Sequence, residues 1–212
     1  MQSENKEASL ETLQEIRSIM DRSARFITLS GWSGIWAGCT ALVGAYIGYG
    51  WLQPPRLRYT AAGTEGTFDY FDPFINRFIL LAIGIFIVAI SGGIYFTYQK
   101  TKAHGSRLWN NASRQLLLQL FYPLFAGGIF SITFIYYGCT MFVAPACLVF
   151  YGLALIGGSK FTFSDIRYLG MLEVALGCAA LYFPHNGLLF WAIGFGVLHI
   201  LYGAIMRNKY DK

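Results

Sequence analysis

Two short stretches of this chain place an ionisable residue among apolar ones. GMLEVALG, residues 170–177, and GVLHILYG, residues 196–203, each put a polar side chain, Glu173 or His199, three positions after one glycine and four before another. Ionisable residues inside a membrane commonly mark ion paths and proton relays, so this pair predicts a proton-linked or cation-binding site. The alternative is a static hydrogen bond between two helices, typically worth about 1 kcal/mol or less in a membrane protein.

The overall amino-acid composition is that of a membrane protein. Of the 212 residues, 55% are hydrophobic and 13% are charged. The apolar residues form runs of the roughly 20 residues that a helix needs to cross a bilayer. The predicted fold class is therefore all-α, a polytopic transmembrane bundle of six helices within residues 26–206. The predicted spans are 26–52, 75–98, 116–138, 141–159, 166–183 and 187–206.

Two terminal segments flank the predicted bundle. Residues 9–26 carry apolar side chains at three- and four-residue intervals with charges between them, which predicts an amphipathic helix within a cytoplasmic segment 1–25. Its apolar stripe would lie on the membrane face or under the bundle, or bind a soluble partner. Residues 207–212 are predicted to form a short cytoplasmic tail.

The last two spans are joined by a turn near residues 185–187, so they should form an antiparallel hairpin that sets the two octets level with each other. Small residues on one helix face let two backbones approach closely. We therefore expect the glycines to pack in pairs across this hairpin, with Glu173 facing His199 about 10 Å inside the cytoplasmic end. The helix-packing glycines are Gly170, Gly177, Gly196 and Gly203.

Other polar side chains fall at the same predicted depth when the spans are counted from their cytoplasmic ends. Together with the acid and the histidine they could line a pocket open to the cytoplasm. Serines and tyrosines also often bond within their own helix, which is the structural alternative. The expected lining residues are Ser33, Ser91, Gln119, Tyr122 and Tyr151.

Local signals mark the interior and the ends of some spans. Pro123 and Pro145 lie within the third and fourth predicted spans, where a missing backbone N–H predicts a kink. Thr162 is followed three residues later by Asp165, which predicts a capping box at the start of the fifth helix.

The basic residues set the predicted orientation. Thirteen of the sixteen lysines and arginines fall on one side of the six spans, and the exceptions are Arg56, Arg58 and Arg77. By the positive-inside rule that side is the cytoplasm, which places both termini there. The net charge of +5 thus has a topological cause and requires no nucleic-acid partner. The predicted partners are the lipid bilayer and anionic headgroups at its inner face.

The sequence carries no motif for catalysis, metal binding or a cofactor. It has no GxSxG and no HExxH, no second histidine within a predicted span and no paired carboxylates. We therefore predict no catalytic residue, no metal and no cofactor, and the patterns favour a protein that is not an enzyme. Free thiols are expected at Cys39, Cys139, Cys147 and Cys178, which form no CxxC pair.

Three runs resemble a family of uncharacterised six-helix integral membrane proteins of bacteria. These runs are EIRSIMDRSARFITLSGWSGIWAG, FYGLALIGGSKFTFSDIRYLGMLEVALG and LLFWAIGFGVLHILYGAIM. The resemblance spans most of the chain and is most specific in its last fifty residues. It implies a bacterial inner-membrane location and one compact domain, and it implies no activity, ligand or site residue.

Two functions of different classes fit these patterns. The first is passage or binding of a small solute or an ion, linked to protons, with Glu173 and His199 as the polar centre. The second is a non-transporting membrane subunit, sensor or scaffold of a larger complex. Such a protein would engage a partner through residues 9–26 or through the connection 53–76.

Overall fold

The computed structural model describes residues 30–52, 73–103, 109 and 111–210. Within these ranges the chain forms six long helical elements and no β-strand, which confirms the predicted all-α bundle. The helix predicted within residues 1–25 lies outside the described residues, as does most of the connection 53–76.

The six elements follow the order of the predicted spans. The first five are α1 (Gly31–Leu52), α2 (Pro73–Ala103), α3 (Asn111–Tyr136), α4 (Val143–Gly158) and α5 (Ile166–Ala180). The last, α6, begins as the α-helix Gly187–Trp191, continues as the π-helix Ala192–Leu198 and ends as the α-helix His199–Tyr210.

Length separates α5 from the other elements. Five helical segments of the described chain are long and apolar enough to cross a membrane, as expected of an integral membrane protein. Helix α5 has 15 residues, or about 22 Å at 1.5 Å per residue, against a hydrocarbon core of about 30 Å. The predicted span 166–183 is therefore longer than the helix, because the chain turns after Ala180 and Pro184 begins a 3₁₀ turn.

The helices pack side by side in the order α2, α1, α6, then α4 together with α5, with α3 on α4 at the far end. Helix α1 packs along α6, and α6 in turn meets α4 and α5, which pack closely on each other. Helix α2 packs against α1 at one end of the row, and α3 packs against α4 at the other. The two outer helices expose most of their side chains, which leaves α4, α5 and α6 as the elements that enclose the core.

Glycines bring helix backbones together in two seams. In the seam between α4 and α5, a Cβ added at Gly170 would lie 2.7 Å from the carbonyl oxygen of Gly152. In the seam between α1 and α6, a Cβ added at Gly203 would lie 2.7 Å from the carbonyl oxygen of Gly31 and 2.6 Å from the backbone nitrogen of Ile35. Both are distances that only glycine allows between backbones.

The predicted pairing of these glycines across the α5–α6 hairpin is wrong. Gly170 and Gly177 pack against α4, whereas Gly196 and Gly203 pack against α1. The physical reason is that each glycine face meets a helix with small residues of its own. Backbones approach more closely there than α5 and α6 approach each other, and between the octets Glu173 and His199 lie side by side without a hydrogen bond.

Two local predictions also change in the structure. Pro145 is the third residue of α4, where a backbone N–H has no acceptor within the helix. Its missing N–H therefore breaks no helical hydrogen bond, and no kink is expected. Pro123 does lie inside α3. The N-cap residue of α5 is Asp165 rather than Thr162, and Asp165 makes no side-chain capping hydrogen bond.

Asp165 instead accepts hydrogen bonds from the end of α6, at what we call the basic end of the bundle. Lys209 Nζ donates to Asp165 Oδ2 at 2.7 Å, and the Tyr210 hydroxyl donates to the same oxygen at 3.0 Å. The hydrogen bond from Lys209 lowers the pKa of Asp165 below its ordinary value. Lys100 and Arg207 lie at this end too, the first near the Tyr210 carbonyl and the second over the Trp32 ring.

Candidate functional site

Glu173 occupies the centre of the α4–α5–α6 core. Glu173 is 0% exposed, and its carboxyl group lies against Gly194 of α6, which Leu148 of α4 also approaches. A Cβ added at Gly194 would sit 2.5 Å from Glu173 Oε2. A side chain at position 194 would therefore displace the carboxyl group or the Leu148 methyl group.

The structure places His199 beside this carboxyl group, at 6% exposure. His199 Nδ1 lies 3.4 Å from Glu173 Oε1, which is within ion-pair distance, but it lies 3.0 Å from the carbonyl oxygen of Gly194. The hydrogen bond goes to the carbonyl, since neither carboxyl oxygen of Glu173 has a hydrogen-bond partner among the described residues. The two residues are thus neighbours without the hydrogen bond that a static tie would use.

Tyr151 of α4 completes the polar group. Its hydroxyl lies 2.7 Å from His199 Nε2, so both ring nitrogens of the histidine have partners. The rings of Tyr151 and His199 each pack against Phe195, with centroids 5.0 Å and 5.9 Å away. These aromatic contacts hold the orientation of the buried imidazole.

The π-helix of α6 explains why Gly194 and His199 can bond. Side-chain Nδ1 of His199 reaches a carbonyl five residues back, while the His199 backbone N–H bonds the carbonyl of Gly196. π-Helical turns are rare and occur frequently at functional sites. The widened turn brings the Gly194 carbonyl, the imidazole and the Glu173 carboxyl together.

The other predicted lining residues do not reach this group. Ser33 and Ser91 bond backbone carbonyls three residues earlier in their own helices, and Gln119 is exposed on α3. Tyr122 is 66% exposed, because α3 packs mainly on α4 and this side chain points away from it. Of the five predicted residues, the structure brings only Tyr151 to Glu173 and His199.

Sequence reasoning missed Gly194 and Leu148. A leucine in an apolar span carries no signal, and Gly194 is one glycine among 24 in the chain. The only trace of its role is its position five residues before an intramembrane histidine, a spacing that an α-helix does not bring into register.

The arrangement can hold or release a proton or bind a cation at one carboxyl group. A metal ion would need more donors than the described residues bring here, since no group of three or more His, Cys, Asp or Glu side chains occurs among them. The four cysteines are free and lie apart from the site.

Comparison of the chain with known protein families, with curated proteins and with solved structures finds no match. The function must therefore be argued from the residues of this chain.

Proposed function

We propose that this integral membrane protein binds an ion at Glu173 and passes it across the membrane, alone or with a small solute. The observation that carries the proposal is a fully buried carboxyl group whose two oxygens lack hydrogen-bond partners among the described residues. Burying an ionised carboxylate without a donor costs several kcal/mol. A carboxyl group that carries this cost is expected to have a use in which its charge changes.

The geometry argues against a purely structural tie between α5 and α6. A hydrogen bond between a charged nitrogen donor and a carboxylate is usually about 2.7–2.9 Å long. The 3.4 Å separation of His199 Nδ1 from Glu173 Oε1 is longer, and Nδ1 is already engaged by Gly194. A carboxyl group that served stability alone would be expected to accept hydrogen bonds, since an apolar side chain would otherwise stabilise the same position better.

A short helix and an irregular one support movement at this site. Helix α5 is the shortest element, and α6 contains the π-helix Ala192–Leu198 directly before His199. Interrupted helices carry the ion sites of many transporters, because their freed backbone groups can rearrange. The kinks that the sequence suggested play no part here, since Pro123 lies on an outer helix and Pro145 in a first turn.

We further propose the bacterial inner membrane as the location, with the basic end in the cytoplasm and in contact with anionic lipid. Support comes from the contacts that gather basic side chains of α2 and α6 at one end. Such asymmetry is typical of the cytoplasmic side.

Flux through liposomes tests the proposed transport. The purified protein would be reconstituted with a pH-, Na⁺- or K⁺-sensitive dye inside, and the matching ion gradient would be imposed in turn. We expect a flux in the wild type that Glu173→Gln reduces at least about tenfold, equivalent to about 1.4 kcal/mol of barrier. Asp165→Asn removes a carboxylate at the basic end and should leave the flux unchanged.

A wild type that passes none of these ions would overturn the proposal, provided that the protein is monodisperse and helical in the liposomes. If Glu173→Gln then changes only thermal stability, the protein is better understood as a non-transporting subunit, sensor or scaffold. A partner that co-purifies with the full chain and is lost when residues 1–20 are deleted would identify that class.

A further inference from the structure

The imidazole of His199 lies where three polar groups converge. Nε2 is 2.7 Å from the Tyr151 hydroxyl, and Nδ1 is 3.0 Å from the Gly194 carbonyl and 3.4 Å from Glu173 Oε1. A carbonyl oxygen only accepts, so Nδ1 carries the hydrogen in this bond. Nε2 of the same ring then accepts the hydrogen bond that the Tyr151 hydroxyl donates. A single proton on Nδ1 therefore satisfies both ring nitrogens.

The Nδ1–H lies between two competing acceptors. The Gly194 carbonyl is the nearer, at 3.0 Å against 3.4 Å for Glu173 Oε1. A hydrogen bond to an ionised carboxylate is roughly twice as strong as one between neutral groups. The charge on Glu173 thus decides which acceptor is preferred, and the arrangement observed here is the one expected when the carboxyl group is neutral.

The surroundings of Glu173 suit a proton better than a metal ion. The Gly194 carbonyl and His199 are occupied by their own hydrogen bonds, and the methyl groups of Leu148 face position 194. Ca²⁺ takes six to eight oxygen ligands and Zn²⁺ takes four ligands. The site offers one unengaged carboxyl group, which is sufficient for a proton.

We propose, building on the proposed function, that the ligand of the Glu173 site is a proton and that the Nδ1–H of His199 exchanges acceptors when this proton leaves. On release, the O–H bond of the Glu173 carboxyl group breaks, its electron pair stays on the carboxylate and the proton passes to a water molecule. The Nδ1–H then moves from the Gly194 carbonyl to Glu173 Oε1. His199 itself gains and loses no proton.

The exchange links the charge on α5 to the backbone of α6. The Gly194 carbonyl that is released belongs to the π-helix Ala192–Leu198, which can then rearrange its own hydrogen bonds. Tyr151 is a positioning residue, because its bond to Nε2 keeps the hydrogen of the ring on Nδ1. Without it the ring could carry the hydrogen on Nε2 and would have none to offer Glu173.

Within the described part of the chain, few other titratable groups face this pair. From α4, Tyr151 faces His199, whereas Cys147 is directed at Ser131 of α3. From α6 the facing group is His199, whereas the Arg207 and Lys209 side chains contact Trp32 and Asp165 at the basic end. The titration should therefore be governed by Glu173, His199 and Tyr151.

Nitrogen-15 NMR of the histidine side chains tests the exchange in the full-length protein in lipid bilayers. The chain has three histidines, so a His199→Gln sample identifies the resonances of His199 by difference. The sample would be titrated from about pH 5 to about pH 9, a range that covers strongly shifted carboxyl groups and histidine. We expect the Nδ1 resonance to move in one transition while Nε2 keeps the frequency of a bare, accepting nitrogen.

Variants separate the roles in this measurement. Glu173→Gln should abolish the transition, and Asp165→Asn should leave it in place. Tyr151→Phe should place part of the ring hydrogen on Nε2, whereas the matched Tyr202→Phe should not, because no bond joins Tyr202 to His199 among the described residues. Adding Na⁺, K⁺ or Ca²⁺ to the wild type should leave the midpoint unchanged.

Three results would overturn the inference. They are protonation of both ring nitrogens together, a transition that persists in Glu173→Gln, and a midpoint that shifts with metal-ion concentration. The first and third are read on the wild type, so they remain decisive even if a variant fails to fold. The NMR experiment does not require transport. A titration without flux would support the exchange and refute the transport proposal. Flux without the titration would refute the exchange and leave the transport proposal standing.

Discussion

The two octets have almost the same sequence pattern but pack against different helices. The glycines of GMLEVALG, residues 170–177, pack on α4, and those of GVLHILYG, residues 196–203, pack on α1. Their central residues differ too, since His199 has partners at both ring nitrogens and Glu173 has none at either oxygen among the described residues. Glycine spacing thus predicts a close approach but not the partner, and the two polar residues lie side by side although their glycines do not pair.

The largest expected effect tests whether the glycine seams are separate. Gly170→Ala and Gly203→Ala each push a methyl group into backbone, so each should lower stability by about 1–3 kcal/mol. Because the two seams share no residue, the double variant should lose the sum of the single losses to within about 0.5 kcal/mol. Thermal unfolding of the purified protein in detergent measures both.

Gly128→Ala is the control for these substitutions, since a Cβ there meets nothing within 4 Å and should cost little. A double variant that departs from additivity by more than about 0.5 kcal/mol would show that the two octets are coupled, as direct pairing across the hairpin requires.

The second prediction contrasts the two central residues. His199→Leu leaves the Tyr151 hydroxyl and the Gly194 carbonyl without their partner, which should lower stability by about 1–3 kcal/mol. Glu173→Met removes a buried group without a partner and should leave stability unchanged or raise it. Melting temperatures of the two variants at one pH provide the comparison, and a loss in Glu173→Met as large as in His199→Leu would contradict it.

A smaller effect is expected at Tyr202, whose buried hydroxyl has no hydrogen-bond partner among the described residues. Tyr202→Phe should therefore change stability by about 1 kcal/mol or less, in the stabilising direction. Tyr151→Phe is the matched variant and should be destabilising, because it leaves His199 Nε2 without a donor. Equal losses in both variants would mean that the Tyr202 hydroxyl is bonded after all, for example to water.

The smallest effect should come from the basic end, where exposed ion pairs contribute little. Because the hydrogen bond from Lys209 lowers the pKa of Asp165, folding favours the ionised carboxylate. Its contribution is complete above the ordinary aspartate pKa of about 3.9 and is lost as the pH falls through the lowered value. Asp165→Asn should therefore unfold at a slightly lower temperature than the wild type at neutral pH and at the same temperature in strong acid. A difference that is constant with pH would exclude the ionised carboxylate as its cause.

The fold was largely predictable because lipid leaves the chain few choices. A backbone crossing hydrocarbon must satisfy its own hydrogen bonds, so each long apolar run becomes a helix. The exception is α5, whose apolar run continues past Ala180 while the helix does not. Hydropathy alone could not detect that end, since Leu181 and Phe183 are as apolar as the residues before them.

The site was only partly predictable. Placing Glu173 near His199 required only the length of the hairpin and the helical rise. Predicting which further residue would join them required the packing of α4, because Tyr151 lies at the right height on the right helix, whereas Tyr122 lies at a similar height on an outer one.

By itself, the sequence determined the apolar helices, their number and the presence of one acid and one histidine within the last two predicted spans. These features depend on the composition and periodicity of single segments. Only the tertiary structure decided that the octet glycines pack on α4 and α1, and that the Gly194 carbonyl takes the hydrogen bond that Glu173 lacks. Both depend on which backbones lie within a few ångströms of each other, and any glycine-bearing helix could supply such a partner.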